Sequence, residues 1–497
     1  MSGTVSDSIL DPRSAPAFQK AAKSLLRDTE LRANVRRATD TIQAKRHKLV
    51  EEKTDWQQLR ESARQIRAHV LEYLHIYLEE FEHNFTRAGG HVHWARNAAE
   101  AQQIVVVLAR QAGADEVIKI KSMTTEEIHL NSALEAAGIR PYETDLAELI
   151  IQLGHDRPSH IVVPALHKNR AQIREIFRRE MQLPDLGESP ADLAEAARRF
   201  LRSKFLGIRT AVSGANFLIA ETGGICIVES EGNGRMCLTL PETLIAVVGI
   251  EKVIPRFTDL EVFLQLLARS ATGERMNPYT SIWAGVTPGD GPSDMHVVLL
   301  DNARTAVLAD GEGRQTLQCI RCGACQNACP VYRQTGGHAY GSVYAGPIGA
   351  ILTPQLMEMH HGQSLPYASS LCGACYEVCP VKINIPEVLI HLRNKVVRQH
   401  GWYAPEALAM KTMAALFRSE RRFRAAQRLA RMAQQPLASK ESQIVVQDGP
   451  AEPDPGLHLG PRWVKWLPGI LGGWTNTRDL RAIPRESFRE WWERNRA

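Results

Sequence analysis

Apolar and polar positions change period along the chain. Up to about residue 90 the period is helical, with Leu71, Leu74, Tyr77, Leu78 and Phe81 recurring at three- and four-residue spacing. Charged residues such as Arg60, Arg64, Arg67, Glu79 and Glu80 fill much of the remainder, so the stripe reads as a core-facing side. From about 95 to 300, helical patterns alternate with short β-rich runs. The pattern predicts helices over 97–112, 125–137, 169–180 and 192–203, and strands over 116–120, 160–164, 215–220, 225–229, 244–248 and 296–300. Such alternation predicts βαβ units on a largely parallel sheet. ETGG is expected to join the strands at 215–220 and 225–229, and EGNG at 231–234 reads as a second hairpin turn. His91 and His93 alternate as on a strand entering the region and read as core or surface histidines. Farther on, 387–399 and 407–434 read as helices, the second carrying Arg418, Arg421, Arg422, Arg424, Arg428 and Arg431. The stretch 435–461 has the composition of a linker, and the tail concentrates Trp474, Phe488, Trp491 and Trp492.

The strongest chemical signal lies between these regions. CIRCGACQNACPV places Cys319, Cys322, Cys325 and Cys329 in the C-x2-C-x2-C-x3-C-P spacing of iron–sulfur ligands. CGACYEVCPV follows with Cys372, Cys375 and Cys379. Laid over each other at an offset of fifty, 322–331 and 372–381 agree at seven of ten residues, an internal repeat. In two-cluster modules the last cysteine of a run ligates the other cluster. One set is then Cys319, Cys322, Cys325 and Cys379, and the other Cys329, Cys372 and Cys375. The repeat partner of Cys319 is Ser369, so the second set is one thiolate short. Zinc is the competing reading, but zinc sites seldom use consecutive two- and three-residue gaps closed by proline. The glycine-rich connector GGHAYGSVYAGPIGA reads as a cover for the clusters, with His338 a weaker candidate for the missing ligand.

Composition adds limits. In 497 residues, 60 Lys and Arg against 55 Asp and Glu give a net charge of +5, no argument for nucleic acid. Seven of the nine cysteines lie in the two runs, leaving Cys226 and Cys237, and dense thiolate spacing implies a reducing compartment. Neither a secretory apolar core nor an apolar run long enough to cross a bilayer is present, so a cytoplasmic location is expected. The arginine-rich helix leaves peripheral membrane contact open. The expected division is a helical region to 90, an α/β domain over 91–305, a mainly α-helical, ferredoxin-like domain with two 4Fe-4S clusters over 306–400, and a helical C-terminal region with a linker over 401–497. The α/β region has no G-x-G-x-x-G after a strand and no Walker pattern. Glu221, Glu231, Asn233 and Arg235 are its candidate polar residues should it bind a small acid.

The order of GANFLIAETGGICIVESEGNGRM and TLPETLIAVVG, then CIRCGACQNACPVYRQTGGHAYGSVYAGPIGA, then SSLCGACYEVCPVKINIP and a Trp-rich tail resembles the lactate utilization protein B family. The resemblance runs from about residue 50 to the end. It implies an electron-carrying subunit in the oxidation of L-lactate to pyruvate, working with two companion proteins. It also implies an α/β lactate-utilization domain similar to the sugar-phosphate isomerase and CoA-transferase fold. The family's seven cluster cysteines correspond to Cys319, Cys322, Cys325, Cys329, Cys372, Cys375 and Cys379, and its pattern also lacks a cysteine at 369. For the second cluster, Cys226, Cys237, Ser369, solvent or a 3Fe-4S form stay open. No catalytic residue is expected, because nothing resembles a flavin or nicotinamide site. Two rival readings are an acyl-CoA transferase with Glu231 as nucleophile, and a scaffold whose clusters only hold the fold.

Overall fold

In chain order the strands of the α/β region are β1 (His91–Ala95), β2 (Glu116–Lys119), β3 (Arg140–Glu143), β4 (Thr210–Ser213), β5 (Phe217–Ile219), β6 (Gly224–Glu229), β7 (Thr243–Gly249), β8 (Val253–Ile254), β9 (Tyr279–Trp283) and β10 (Asp294–Leu300). The computed structural model describes residues 13–399, 401, 405–439, 463–475, 480–484 and 486–496. Six strands form one parallel sheet in the order β1-β10-β7-β4-β2-β3. Its central strands are apolar on both faces: all of Thr243–Gly249 is buried, and so is Met295–Leu300. That is how parallel strands covered on both sides read in sequence. The chain runs from β2 outward to β3, then returns to β4 on the other side of β2. Strand order therefore reverses between β2 and β4, a switch point that opens a crevice beyond the strands' carboxyl ends. A second, four-stranded sheet, β8-β5-β6-β9, packs beside it. ETGG is the hairpin between β5 and β6, with Gly223 at φ +67°.

Four helices precede the sheet: α1 (Phe18–Leu25), α2 (Thr29–Glu51), α3 (Trp56–Glu72) and α4 (Leu74–Arg87). Asp28 starts α2 by accepting the Leu31 amide. The predicted stripe is buried at Leu71, Leu74, Leu78 and Phe81, but it spans two helices that break at Tyr73. One apolar core joins Leu31 and Val35 of α2 and Trp56 and Ala63 of α3 to the cysteine segment, including Cys322, Cys329, Cys375 and Cys379. Residues up to Val396 form one compact unit, in which the N-terminal helices share their core with the cysteine runs.

Several expected elements differ. Residues 160–164 are not a strand: His160 Nδ1 accepts the amides of Val162 and Val163, each at 3.0 Å, and bends the chain. Apolar residues there pack on the cysteine segment instead of a sheet. The helix expected over 125–137 is two, Met123–Glu127 and Leu130–Ala136, separated by His129 at φ +49°. EGNG opens the helix Asn233–Thr239 and is not a hairpin turn. Its Gly232, at φ +82°, is the residue before that helix. Strands β3, β4 and β9 carry no clear period and were not expected.

A second unit runs from Val397 to the end. Its arginine-rich stretch is two helices, Pro405–Phe417 and Glu420–Ala433, broken at Arg418 and Ser419. Three two-residue strands pair antiparallel, and Ser487 and Glu490 form a capping box on the helix Phe488–Asn495. Arg431 pairs with Glu490 at 3.0 Å and Arg424 with Glu420 at 2.9 Å, so part of the basic face is spent within the unit. Phe488 stacks on Trp491 and Trp492. Most of the predicted linker, 440–461, lies outside the described residues. Among the described residues no helix is long and apolar enough to cross a membrane.

Candidate metal centre and adjoining pocket

The sequence repeat is also a repeat of conformation. Two short helices, Ala324–Ala328 and Ala374–Val378, each follow a left-handed glycine, Gly323 at φ +74° and Gly373 at φ +84°. Two residues earlier Arg321 and Leu371 are left-handed as well, at φ +60° and +55°. Backbone amides point at sulfur from one of these turns and from the residues after each run: Arg321 N–H reaches Cys319 Sγ at 3.4 Å, Tyr332 N–H reaches Cys329 Sγ at 3.5 Å, and Ile383 N–H reaches Cys379 Sγ at 3.3 Å. Amides so placed stabilise negative charge on a ligand sulfur.

The thiols fall into two groups. Cys322 has Cys319 and Cys379 as electrostatic neighbours, and Cys325 has all three. Cys329 and Cys375 both face Cys372, and Cys325 approaches Cys375 where the groups meet. Each group draws from both runs. Burial pushes the Cys322 and Cys375 thiols up to about 12 and Cys379 up to about 11, so they stay protonated unless a cation draws the proton off. The spacing tests which metal fits. Among the described residues no three of these sulfurs lie within 4.8 Å of one another. A tetrahedral zinc site, with Zn–S near 2.3 Å, sets its thiolates about 3.8 Å apart.

Four arginines stand around the first group, Arg60 and Arg67 buried and Arg46 and Arg321 partly so, and sequence reasoning found none of them, placing Arg60 and Arg67 on the polar side of their helix. Arg60 Nε donates to the Cys379 carbonyl at 2.9 Å and its Nη2 to the Tyr376 carbonyl at 3.1 Å. Arg46 donates to the Val378 carbonyl at 3.1 Å. Together they satisfy carbonyls left over at the end of the helix Ala374–Val378. Arg67 donates to the carbonyls of Val253, Leu317 and Glu251, stapling α3 to the α/β unit and the cysteine segment at once. Arg321 lies over Tyr344, 4.7 Å from the ring centre, and pairs with Glu251 at 3.3 Å. Glu251 also binds Arg304 at 2.6 Å, and Arg304 binds Glu127 at 2.8 Å. Around the second group stand Tyr332 and Tyr340, both buried, and Arg393, which donates to the Ser369 carbonyl at 3.1 Å, while Cys372 is exposed.

The glycine-rich connector fits closely against this centre. A Cβ on Gly349 would stand 1.8 Å from the Tyr344 carbonyl oxygen, and one on Gly337 would stand 2.1 Å from that of Ser159. His338 Nε2 is used on the Arg157 carbonyl at 3.0 Å. Cys226 lies in β6 opposite Phe217, and Cys237 contacts the Thr144 hydroxyl at 3.4 Å. Ser369 Oγ accepts the Leu371 amide at 3.1 Å, on the same turn as Cys372.

At the switch point between β2 and β4 a cavity of about 490 Å³ opens. Its walls come from the segments after β2, β3 and β4 and from Lys252, Arg321 and Cys322. Glu231 and Asn233 line it; Glu221 and Arg235 do not. Glu221 instead accepts the Phe257 amide, and Arg235 stacks on Tyr279. The Glu231 carboxyl accepts the Leu146 amide at 2.9 Å. Although the residue keeps an exposed surface, desolvation of that carboxyl, with Asp145 and Glu229 nearby, pushes it up to about 7. His91 and His93 are elsewhere, stacked about His296, with His93 Nε2 3.1 Å from His296 Nδ1.

Comparison with known proteins agrees with this architecture. Three family models match in succession: the LUD domain over 78–300, the 4Fe-4S dicluster domain over 315–383, and the lactate utilisation protein B C-terminal domain over 393–497. Lactate utilization protein B 1 of Bacillus mycoides (strain KBAB4) is 41% identical over 482 residues, covering 96% of each chain. The chain belongs to the lactate utilization protein B family. Lactate utilization protein B of Bacillus thuringiensis (strain Al Hakam) and of Bacillus cereus (strain AH187) are each 40% identical over 472 residues, 94% of this chain and 95% of theirs. A crystal structure of a DUF162 family protein from Deinococcus radiodurans matches 46% of this chain and 98% of its own at 12% identity, with a TM-score of 0.26, too low to carry an argument. As a lactate utilization protein B, the chain places an iron–sulfur domain against its α/β domain, with Cys322 in the wall of the cavity between the carboxyl ends of the strands.

Proposed function

We propose that this chain is the electron-carrying iron–sulfur subunit of an L-lactate-oxidising system, working with two companion proteins. Oxidation of lactate to pyruvate releases two electrons and two protons. Iron–sulfur clusters, when bound, carry such electrons one at a time. Cys319, Cys322, Cys325 and Cys379 hold the first cluster, a 4Fe-4S cubane. Cys329, Cys372 and Cys375 hold the second. The observation that carries this reading is the grouping of thiols from both runs within the stretch that matches the 4Fe-4S dicluster domain.

The surroundings support a direction. The first group has Cys322 and Cys379 buried, with Cys322 on the cavity wall, and the second reaches the surface at Cys372. Buried arginines offset negative charge at the first, whereas tyrosines insulate the second. Ser369 and solvent are the donors nearest Cys372 in sequence and exposure for the second group's open corner. Anaerobic purification, iron and sulfide analysis and electron paramagnetic resonance test the assignment. A full complement for two cubanes supports an oxygen donor at that corner, and one iron fewer supports a 3Fe-4S second cluster. Zinc, or a colourless protein, sinks the proposal.

A second reading has the raised carboxyl of Glu231 act as nucleophile of an acyl-CoA transferase. Full lactate oxidation by a complex carrying Glu231→Gln, with no acyl group trapped on the wild type, counts against it.

A further inference from the structure

The walls of the switch-point cavity carry cationic donors left open: Lys252 has no ion pair or hydrogen bond, and Lys121 Nζ and Arg321 Nη1 make no hydrogen bond among the described residues. Lys252 is 8% exposed, and among the described residues its ammonium makes no hydrogen bond and no ion pair. The adjacent carboxylate, Glu251, is committed to Arg304 and Arg321. A buried charge without a partner is costly, and such a site is held for something that supplies the opposite charge.

The acidic wall residues do not supply it, because each already has donors. Asp145 accepts the amides of Ala147 and Glu148, capping the helix Leu146–Leu153. Glu229 accepts the amides of Gly234 and Arg235 at 2.8 and 2.7 Å. Glu231 accepts the Leu146 amide, and Glu274 pairs with Lys45. The second lysine in the cavity, Lys121, has Glu148 at 3.5 Å. What is left is the Lys252 ammonium, the open donors of Lys121 and Arg321, apolar wall from Ile120, Val162 and Leu267, and the amide of Asn216. Asn216 Oδ1 is fixed by the Val228 amide at 2.8 Å, and its NH₂ has no partner among the described residues.

We propose that this cavity binds a small organic monocarboxylate of the 2-hydroxy or 2-oxo acid class, with Lys252 as its counter-ion and Asn216 as a neutral donor. The Lys252 ammonium matches a carboxylate, and the apolar wall matches a short hydrocarbon body. The cavity exceeds what a three-carbon acid fills, so it takes longer homologues too. Cys322 shares the wall, so the bound acid sits against the first cysteine group. The choice of acid class rests on the lactate reading above; the existence of an anion site does not.

The test uses the full chain with clusters assembled anaerobically. Isothermal calorimetry at constant ionic strength measures binding of pyruvate, L-lactate and 2-oxohexanoate, with sulfate as the inorganic control. Saturable binding of pyruvate is expected, weakened about thirtyfold or more by Lys252→Met and retained by Lys252→Arg. Asn216→Asp keeps the acceptor for Val228 but adds a like charge, and weakens pyruvate binding without depending on the Lys252 variant folding. Wild-type iron content in each variant keeps the comparison clean. The inference is overturned if pyruvate does not bind, if sulfate alone binds, or if binding survives both Lys252→Met and Asn216→Asp. Reduction of the clusters by L-lactate plus the companion proteins is followed in parallel. Reduction without pyruvate binding defeats the pocket and leaves the electron-transfer role; binding without reduction defeats that role and leaves the pocket.

Discussion

Replacing Glu251 with glutamine should be among the most damaging single-atom changes in this protein. Its carboxylate is 1% exposed and sits between Arg304 at 2.6 Å and Arg321 at 3.3 Å, with Lys252 next in sequence and Arg67 on its own carbonyl. Glutamine keeps the shape but leaves those cations facing one another. Removing one partner of a buried pair costs about 3–5 kcal/mol. A second route gives a similar figure: the surrounding arginines hold Glu251 at about 2, against an ordinary 4.5. That difference is worth roughly 3 kcal/mol at neutral pH. The folded state lowers this pKa, so the stabilisation is complete above about 4.5 and drains away as pH falls toward about 2. Lys252 beside it, pushed down to about 8 by burial, titrates above neutrality, so the deficit of the variant should be constant only between about pH 5 and 7. Unfolding of a large cofactor-bearing chain is best read as a rate. In guanidinium at neutral pH, tryptophan fluorescence and bleaching of the visible cluster absorbance should both show the variant unfolding on the order of tenfold to a hundredfold faster. A wild-type rate, or a deficit that changes steeply between about pH 5 and 7, would refute the reasoning.

Three further substitutions probe separate parts of the structure. Arg60→Gln removes a buried positive charge beside Cys379, and should lower the midpoint potential of one paramagnetic signal while leaving the other and the iron content unchanged; equal movement of both signals counts against the grouping of thiols. Lys119, fully buried between Glu126 at 2.8 Å and Glu143 at 2.6 Å, should cost about 3–5 kcal/mol when changed to methionine, measured as a lower unfolding temperature. Gly349→Ala forces a methyl against the Tyr344 carbonyl and should yield protein with reduced iron content and increased protease sensitivity; a fully loaded variant as stable as the wild type would show that the connector can yield.

The legible parts of the sequence were those where one local rule dictates the outcome. The cysteine gaps, the apolar runs of β7 and β10 and the ETGG hairpin all have a short-range cause. Parallel pairing followed from alternation alone. The missed features have long-range causes. Residues 160–164 look like a strand because Ile161, Val162 and Val163 are β-branched, yet their amides are taken by His160 and by Gln326, 165 residues away. Arg60 and Arg67 fall on a face that looks solvated, and only the packing of α3 across two domains buries them. Strands β3 and β4 are four residues each, too short for period to register. Of the candidate polar residues, Glu231 and Asn233 reach the cavity, but Lys252 had no sequence signal at all: a lysine after an apolar strand reads as an exit to solvent.

The grouping of thiols also bears on assembly. Neither cysteine run can complete a group alone, since the first group needs Cys379 and the second needs Cys329. The connector lies between the runs, and its close backbone contacts at Gly337 and Gly349 leave no room for a side chain there. Closure also depends on α3, because Arg60 and Arg67 reach the Cys379 and Leu317 carbonyls from a helix that precedes the runs by some 250 residues. Metal binding energy is then coupled to docking of the N-terminal helices on the α/β unit. The same contacts that hold the helices in place carry the positive charge around the first group. Stability of the unit and the redox properties of its centre therefore rest on one set of buried arginines, and a change that weakens the docking should also shift the potential.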